Sequence, residues 1–351
     1  MSSADSKPSL VPVLPEWRGI HSIHYQFLAN QQHMLLDAQR TGAYHRGITL
    51  NRSDFEGKTV LDVGAGTGIL SIFAAQAGAR KVYAIEGTES SEYARTLVSS
   101  NGLTDRIEIV RSRLDELVLP EKVDVIISEP WGFFLFHERM VEAFLMARDR
   151  FLKPLGRLFP ATARVWLAPF TDPGLHQARQ ISAAFWEQRD FYGVDLRAMA
   201  SAAMDETFWM PALGHVPPDM LMAGPSVTPY DFERMPLAEL AELAMPFEFV
   251  ATHPGPIHGL AGWFDVAFEG TDERVVLSTA PDAIETHWLQ LRFVFKDPIL
   301  VSIGDRVRGS LVLRANPQSS YDAVFKATHN GEPLPSSTFG IHGYFPWEHR
   351  D

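Results

Sequence analysis

The chain has 351 residues, 46% of them hydrophobic and 21% charged, which is ordinary for a globular protein with one large or two medium domains. It has no cysteine, which excludes disulfides, thiol nucleophiles and cysteine-based zinc sites, and its net charge of −12 argues against nucleic acid as a partner while suiting cationic substrates. No apolar run approaches the roughly 20 residues of a membrane span and no secretory signal pattern is present, so we expect a cytoplasmic protein that binds no membrane and no metal.

The first part of the chain precedes any strand pattern. Residues 1–20 are polar and contain prolines, which predicts a loose N-terminal arm. Across residues 21–58 apolar side chains recur at helical spacing, and Arg40-Thr41-Gly42 is typical of a helix end. We therefore interpret residues 21–58 as a helical segment that leads into the first strand.

A strand, a glycine turn, a helix and a second strand are predicted between residues 59 and 86. Residues 59–63 form a short apolar run suited to a buried parallel strand, and residues 81–85 form the next strand. The turn between strand and helix carries three glycines, which tolerate positive φ and let a ligand approach the backbone: Gly64, Gly66 and Gly68. Glu86 ends the second strand, where a carboxylate can accept hydrogen bonds from two ribose hydroxyls. The pattern predicts a nucleoside-binding turn.

The residue at position 69 helps to distinguish between two kinds of bound cofactor. A dinucleotide-binding turn would have a third glycine where this chain has Ile69. A sulfonium cofactor has no pyrophosphate to place at a helix N-terminus, so the turn favours S-adenosylmethionine (AdoMet) over NAD. NAD-dependent oxidoreduction remains a distant alternative.

Strands and helices alternate from residue 59 to 165, which predicts a parallel sheet covered by helices on both faces, in an α/β fold of the Rossmann-like kind. The further predicted strands are residues 106–110, 123–128 and 158–165, and the further helices are residues 90–99 and 138–151. Ligands of such sheets bind at the carboxyl ends of the strands. Asp115 and Glu129 both follow strands, so we expect them at the same edge as the glycine turn.

The pattern changes in residues 166–345. Residues 172–215 are predicted to be mainly helical and carry a cluster of aromatic side chains: Phe185, Trp186, Phe191 and Tyr192. From residue 246 onward, short alternating runs are separated by turn residues, which predicts an antiparallel β-barrel domain. So much aromatic surface on a helical arm favours burial against a partner.

Two carboxylates stand out after the strand at residues 123–128. Glu129 ends the strand and Glu138 follows nine residues later, at the predicted start of a helix. An exposed acid at a helix N-terminus gains only about 0.3–1 kcal/mol from the helix dipole, which is the alternative explanation for Glu138. Beside a predicted AdoMet site, the pair suggests a clamp for a cation.

Several motifs, in the right order from about residue 20 to 330, resemble the protein arginine methyltransferases, and most nearly the catalytic core of their coactivator-associated branch. The motifs are SEPWGFFLFHERM, similar to the family's double-glutamate loop; TVLDVGAGTGILSIFAAQAGARKVYAIE, similar to its cofactor motif; THW; LDAQRTGAYHRGI, similar to its cofactor lid; and FWEQRDFYGVDL, similar to its dimerisation arm. The resemblance implies AdoMet as cofactor, a homodimer formed head to tail through residues 172–215, and methyl transfer to an arginine guanidino nitrogen.

The resemblance also implies roles for individual residues. The catalytic group would be Glu129 and Glu138 as the guanidinium clamp, Asp37 and His287 as a proton-handling or loop-orienting pair, and Tyr25. The cofactor-binding group would be Gln31, Met34, Arg40, Asp62, Gly64, Gly66, Gly68, Glu86 and Asp115, with Arg40 on the AdoMet carboxylate, Glu86 on the ribose and Asp115 near the adenine. Met34 would also crowd the guanidino group and favour asymmetric dimethylation. Trp131 and Trp288 would contact the substrate.

Two departures from the family pattern leave the acceptor open. The family's lid reads Tyr-Phe-x-x-Tyr, and only its second tyrosine, Tyr25, is present here. Trp131 stands where the nearest relatives have methionine, and the chain adds little outside the core. Free L-arginine or another small guanidine is therefore an alternative to arginine in proteins or peptides. An alternative from a different class is a non-catalytic scaffold with an AdoMet fold. The presence of Glu129, Glu138 and His287 argues against it.

Overall fold

The computed structural model describes residues 10–13 and 23–341, so most of the predicted loose arm lies outside the described residues. Two helices, Leu28–Leu36 and Ala38–Thr49, form the predicted helical segment and are called the lid helices below; a short helix, Arg52–Phe55, follows. The break between the lid helices lies at Asp37, whose side chain accepts a hydrogen bond from the Arg40 backbone N–H at 2.9 Å. The helix end expected at residues 40–42 is therefore wrong, because an aspartate that caps a new helix interrupts the old one.

The predicted parallel sheet is present, with the strand order β3-β2-β1-β4-β5. Its strands are Thr59–Val63 (β1), Lys81–Glu86 (β2), Ile107–Arg111 (β3), Val123–Ser128 (β4) and Leu152–Phe159 (β5), and its helices are Ile69–Gln76, Ser90–Ser100 and Met140–Phe151. Val63 is level with Ile85 on β2 and with Ser128 on β4. The register therefore brings the ends of the three central strands to one edge of the sheet, as predicted.

The prediction of a single strand over residues 158–165 is wrong. Its first part belongs to β5, which pairs with β4 in the parallel sheet, and its second part belongs to a new strand that begins at Thr162. The new strand pairs with strands of the second domain, so the domain boundary lies near residue 160 and not at 165. Buried apolar residues on both sides of Pro160 hid the boundary, because Leu158, Phe159, Ala163 and Val165 all belong to one core.

The second domain consists of two antiparallel sheets that form a barrel-like body, which confirms the expected fold class. Its strands are Thr162–Phe170 (β6), Ala212–Gly214 (β7), Ser226–Asp231 (β8), Glu242–Val250 (β9), Gly255–Glu269 (β10), Arg274–Ser278 (β11), Gln290–Val301 (β12), Arg306–Asn316 (β13), Ser320–His329 (β14), Glu332–Pro333 (β15) and Ser337–Ile341 (β16). One sheet has the order β7-β12-β10-β6-β8 and the other β15-β14-β13-β9. None of the helices within the described ranges is long and apolar enough to cross a membrane.

The predicted arm projects between β6 and β7. It consists of two helices, Pro173–Ala184 and Ala200–Trp209, joined by irregular chain and not by continuous helix. At its tip, Phe191 and Val194 form an isolated bridge and the Gly193 N–H is bonded to the Asp190 carboxylate at 2.7 Å, which makes a tight turn. Tyr192 in that turn is 94% exposed. The arm therefore presents aromatic surface that its own chain leaves uncovered.

Candidate active site

The glycine turn after β1 has the conformation that its sequence requires. Gly64, Gly66 and Gly68 have φ values of 74°, 55° and 79°, a region that side chains with a Cβ rarely occupy. The Gly66 N–H donates to one oxygen of Glu86 at 2.8 Å, and the Thr88 N–H donates to the other at 2.8 Å. Each carboxylate oxygen keeps a second acceptor site, so Glu86 fits the role of accepting ribose hydroxyls.

Gln31 of the first lid helix lies directly over this turn. A Cβ on Gly66 would come within 2.7 Å of the Gln31 side-chain oxygen. Its Nε2 donates to the Tyr25 backbone oxygen at 2.8 Å, and Ser90 donates to the same oxygen at 2.7 Å. Ser90 was not predicted from the sequence. These contacts tie the start of the lid to the glycine turn, so the turn and the lid together form one cradle.

Asp62, one residue before the end of β1, is fully buried below the turn. One of its oxygens accepts from the Ser71 hydroxyl at 2.7 Å, and the other has no hydrogen-bond partner. Burial raises the pKa of Asp62 to about 7, against the lowering effect of the bonds from Ser71. A buried acceptor without a partner beside a glycine turn fits a site that receives a polar ligand.

The loop from Glu129 to Arg139, called the double-glutamate loop below, is held between the two domains. Phe134, Leu135 and Phe136 are fully buried, and the ring of Phe134 packs where Gly262 of β10 has no side chain. Glu138 has φ 71° in a short turn before the helix that starts at Met140. The prediction that Glu138 begins a helix is therefore wrong. Glu138 is also not an exposed acid, because its carboxylate is mostly buried and bonded to Tyr25, so the exposed helix-start explanation does not describe it.

Glu129 binds a guanidinium in this structure. Its Oε2 accepts from Arg40 Nε at 2.9 Å and from Arg40 Nη2, and Arg40 Nη1 donates to the Met34 backbone oxygen at 3.1 Å. The fork of Arg40 lies on a single carboxylate oxygen, with both side chains mostly buried. Glu129 thus engages an arginine side chain, that of Arg40, through one carboxylate oxygen. The expected contact of Arg40 with the AdoMet carboxylate stays a prediction.

Glu138, at the other end of the loop, is close enough to Glu129 to feel its charge. Its Oε2 accepts from the Tyr25 hydroxyl at 2.7 Å. Burial raises the pKa of Glu138 to about 7; the Tyr25 hydrogen bond opposes the rise and the charge of Glu129 adds to it. Tyr25 itself has a pKa well above its usual value because of burial and of both glutamates. The two carboxylates and Tyr25 therefore form one electrostatic unit.

Asp37 and His287 are brought together across 250 residues. One Asp37 oxygen lies 2.7 Å from His287 Nδ1 and accepts the His287 backbone N–H at 2.9 Å, while the other caps the second lid helix. Burial tends to raise the pKa of Asp37, but these hydrogen bonds outweigh it and lower the pKa to about 2. The ionised carboxylate accepts the Nδ1 proton, which leaves Nε2 as the basic nitrogen of the ring.

Trp131 and Trp288 are both buried core residues, and their predicted contact with the substrate stays a prediction. Trp131 is 6% exposed, stacks on Phe232 with ring centroids 5.2 Å apart, and donates from Nε1 to the Tyr44 hydroxyl at 2.8 Å. Trp288 is 1% exposed and donates from Nε1 to the Trp131 backbone oxygen at 3.0 Å. Both indole N–H groups are therefore used to hold the double-glutamate loop.

Tyr44 is a site residue that the sequence reasoning missed. It is buried, and its hydroxyl donates to the backbone oxygen of Ser128, the residue before Glu129, at 2.9 Å. Tyr44 follows Arg40 by four residues and Asp37 by seven on helical chain, so all three share one face of the lid. That spacing was the signal available in the sequence.

Two predicted cofactor residues have weaker support. Asp115 lies four residues beyond β3 on an exposed loop, where its carboxylate pairs with Arg113 at 3.1 Å. Met34 is half-buried in the first lid helix, with its sulfur 4.0 Å from Arg40 Nη2. The adenine contact of Asp115 and the effect of Met34 on product symmetry stay predictions.

The fold and this site define a class I methyltransferase architecture with an added barrel. Residues 60–156 match the family described as "Methyltransferase domain", and residues 161–329 match "Arginine methyltransferase oligomerization subdomain". Among solved structures, protein arginine methyltransferase 10 of Arabidopsis thaliana is 34% identical, with a TM-score of 0.81 over 90% of this chain and 97% of that one. The chain belongs to the protein arginine methyltransferase family, as the sequence motifs predicted.

Other relatives extend this comparison. The Trypanosoma brucei PRMT1 enzyme–prozyme heterotetrameric complex with AdoHcy contains a chain that is 30% identical, with a TM-score of 0.80 over 90% of this chain and 98% of that one. The probable histone-arginine methyltransferase CARM1 of Oryza sativa subsp. indica is 46% identical over 299 residues, which are 85% of this chain and 57% of that protein. The histone-arginine methyltransferase CARMER of Anopheles gambiae is 44% identical over 89% of this chain and 50% of that protein. The chain thus spans about half the length of these curated relatives.

Proposed function

We propose that this protein is an AdoMet-dependent methyltransferase that methylates the guanidino nitrogen of arginine in proteins or peptides. The observation that carries the proposal is the pair Glu129 and Glu138, two mostly buried carboxylates close to one another, with Glu129 paired to the guanidinium of Arg40 of the same chain. The solved relative with AdoHcy and the histone-arginine methyltransferases support the cofactor and the acceptor class. The presence of both carboxylates argues against the alternative of a non-catalytic scaffold.

The residues suggest how the reaction is assisted. AdoMet, when bound, supplies an electrophilic methyl group on a sulfonium. An arginine guanidinium is a poor nucleophile because its charge is delocalised and it stays protonated at neutral pH. Glu129 and Glu138 bind it on two sides, concentrate positive charge toward the bound nitrogens, and orient the remaining nitrogen for attack. That nitrogen loses one proton as it gains the methyl group, and we assign acceptance of a proton to His287, whose ring Asp37 orients.

Dimer formation belongs to the proposal as well. The matched family is described as an oligomerization subdomain, and it includes the arm. The chain exposes apolar side chains on the arm and on the lid: Ile181, Phe185, Trp186 and Tyr192 on the arm, and Ile23, Phe27, Leu28 and Leu36 on the lid. A homodimer in which the arm of one copy covers the lid of the other would bury both surfaces.

A product assay tests the proposed activity. We expect labelled AdoMet to transfer methyl groups to histone-tail peptides and not to free L-arginine, because a buried clamp selects the guanidino group while an extended peptide adds contacts around it. With Met34 present, any dimethylated product should be asymmetric. Mass spectrometry of both incubations distinguishes the products by their fragment ions. Methylation of free arginine at a comparable rate would favour the small-guanidine alternative, and symmetric dimethylarginine would contradict the role of Met34.

A cofactor-binding assay tests the Glu86 assignment. We expect Glu86→Ala to weaken AdoMet binding by about 10- to 150-fold, because hydrogen bonds to a charged acceptor contribute about 1.5–3 kcal/mol. Isothermal titration calorimetry measures this directly. Glu89→Ala is the matched control, since Glu89 is exposed and pairs with Arg111. Equal AdoMet affinity in Glu86→Ala and wild type would remove Glu86 from the cofactor site.

A further inference from the structure

The double-glutamate loop and a distant hairpin meet at strained backbone. Glu138 and Arg139 have φ values of 71° and 57°, and Ser319, in the turn between β13 and β14, has φ 59°. Ser319 Oγ donates a hydrogen bond to the backbone oxygen of Glu138 at 3.0 Å. Non-glycine residues in left-handed conformations persist only where their surroundings hold them, and they concentrate at functional positions.

The hairpin holds the neighbouring residue too. Arg139 is buried, and its Nη1 donates to the backbone oxygen of Asn316 at 2.7 Å. Asn316 Oδ1 accepts the backbone N–H groups of Gln318 and Ser320, each at 3.1 Å, which closes the turn on itself. The turn is therefore a self-supported structure that binds the double-glutamate loop at two successive residues, Glu138 and Arg139.

We propose that Ser319 is a positioning residue, and that its hydrogen bond keeps the Glu138 peptide in the left-handed conformation that directs the carboxylate into the guanidinium clamp. This inference rests on the proposed arginine methylation. Left-handed backbone is disfavoured for a residue with a Cβ, so an unsupported Glu138 relaxes toward negative φ. That rotation carries the carboxylate away from Tyr25 and Glu129. Ser319 acts through Glu138 and touches no reacting atom.

Two substitutions of Ser319 separate its hydrogen bond from hairpin stability. Ser319→Ala removes the hydroxyl and keeps the strained φ, whereas Ser319→Gly removes the hydroxyl and also relieves the strain. We expect kcat on an arginine peptide to fall about tenfold or more in both variants, because small displacements of a catalytic group are costly. AdoMet affinity should remain within about twofold of wild type, and the melting temperature of Ser319→Gly should not fall. Ser302→Ala, in the exposed turn between β12 and β13, is the matched control and should keep wild-type kcat.

The pH profile adds a readout that hairpin stability alone does not move. Burial and the charge of Glu129 raise the pKa of Glu138 and the Tyr25 hydrogen bond lowers it, so a displaced carboxylate should move the acidic side of the activity profile away from its wild-type pH. Wild-type kcat in Ser319→Gly, or a loss in Ser319→Ala that glycine restores, would overturn the positioning role and leave the methyltransferase proposal intact. A wild-type protein that methylates no arginine peptide would overturn both.

Discussion

Glu129→Gln and Glu138→Gln should each reduce turnover on arginine peptides by about 100-fold or more, while AdoMet affinity stays close to wild type. Each change keeps the shape of the side chain and removes the charge that binds and polarises the guanidinium. Loss of one preorganised electrostatic contact in a buried site typically costs a factor of 10² to 10³ in rate. Single-turnover measurements with saturating AdoMet report the effect on the chemical step.

The matched control for these substitutions is Glu92→Gln, because Glu92 is exposed on the helix Ser90–Ser100 and pairs with Arg95. The pH dependence gives an independent check. The clamp requires ionised Glu138, whose pKa is raised to about 7, so wild-type kcat/KM should fall as the pH falls through about 7. The residual activity of Glu138→Gln should not show this fall in kcat/KM near pH 7. Turnover of either glutamine variant within tenfold of wild type would contradict the clamp.

Phe191→Ser combined with Tyr192→Ser should convert the protein from a dimer to a folded monomer with weak AdoMet binding and little turnover. Aromatic rings bury about 150–250 Å² each, so the arm tip carries a large share of any interface it forms. The lid helices hold Gln31, Arg40 and Tyr44 over the site, and a partner arm that covers the lid orders these residues. Dimerisation and cofactor binding are then linked, so each strengthens the other.

Sedimentation velocity measures the association, and calorimetry measures AdoMet affinity at the same protein concentrations. Leu300→Ser combined with Ile303→Ser is the matched control, because it removes two exposed apolar side chains, 73% and 69% exposed, from the far end of β12 and its turn. The control should remain a dimer with full activity. A wild-type protein that sediments as a fully active monomer would contradict the assembly.

The sequence alone determined the parallel sheet and the position of its site. The evidence was local: a β-branched strand, three glycines and an acid at the end of the next strand. Such patterns can be recognised without knowledge of distant contacts. Glu129 and Glu86 were predictable for the same reason, because each ends a strand of a parallel sheet. The pairing of Asp37 with His287 came from a family resemblance and not from any pattern within the chain.

Only the tertiary structure decided the features that depend on contacts between distant segments. The boundary near residue 160 was hidden because the residues on both sides of it are buried in one core, while β5 and β6 pair with strands of different sheets. The sequence predicted Trp131 and Trp288 only as substrate contacts, and the structure shows that their N–H groups hold the double-glutamate loop from inside the core. The left-handed conformation of Glu138 also has no signal in its own residues. It is set by packing and by a hydrogen bond from Ser319, 181 residues away, because backbone strain is stable only where the folded protein compensates for it.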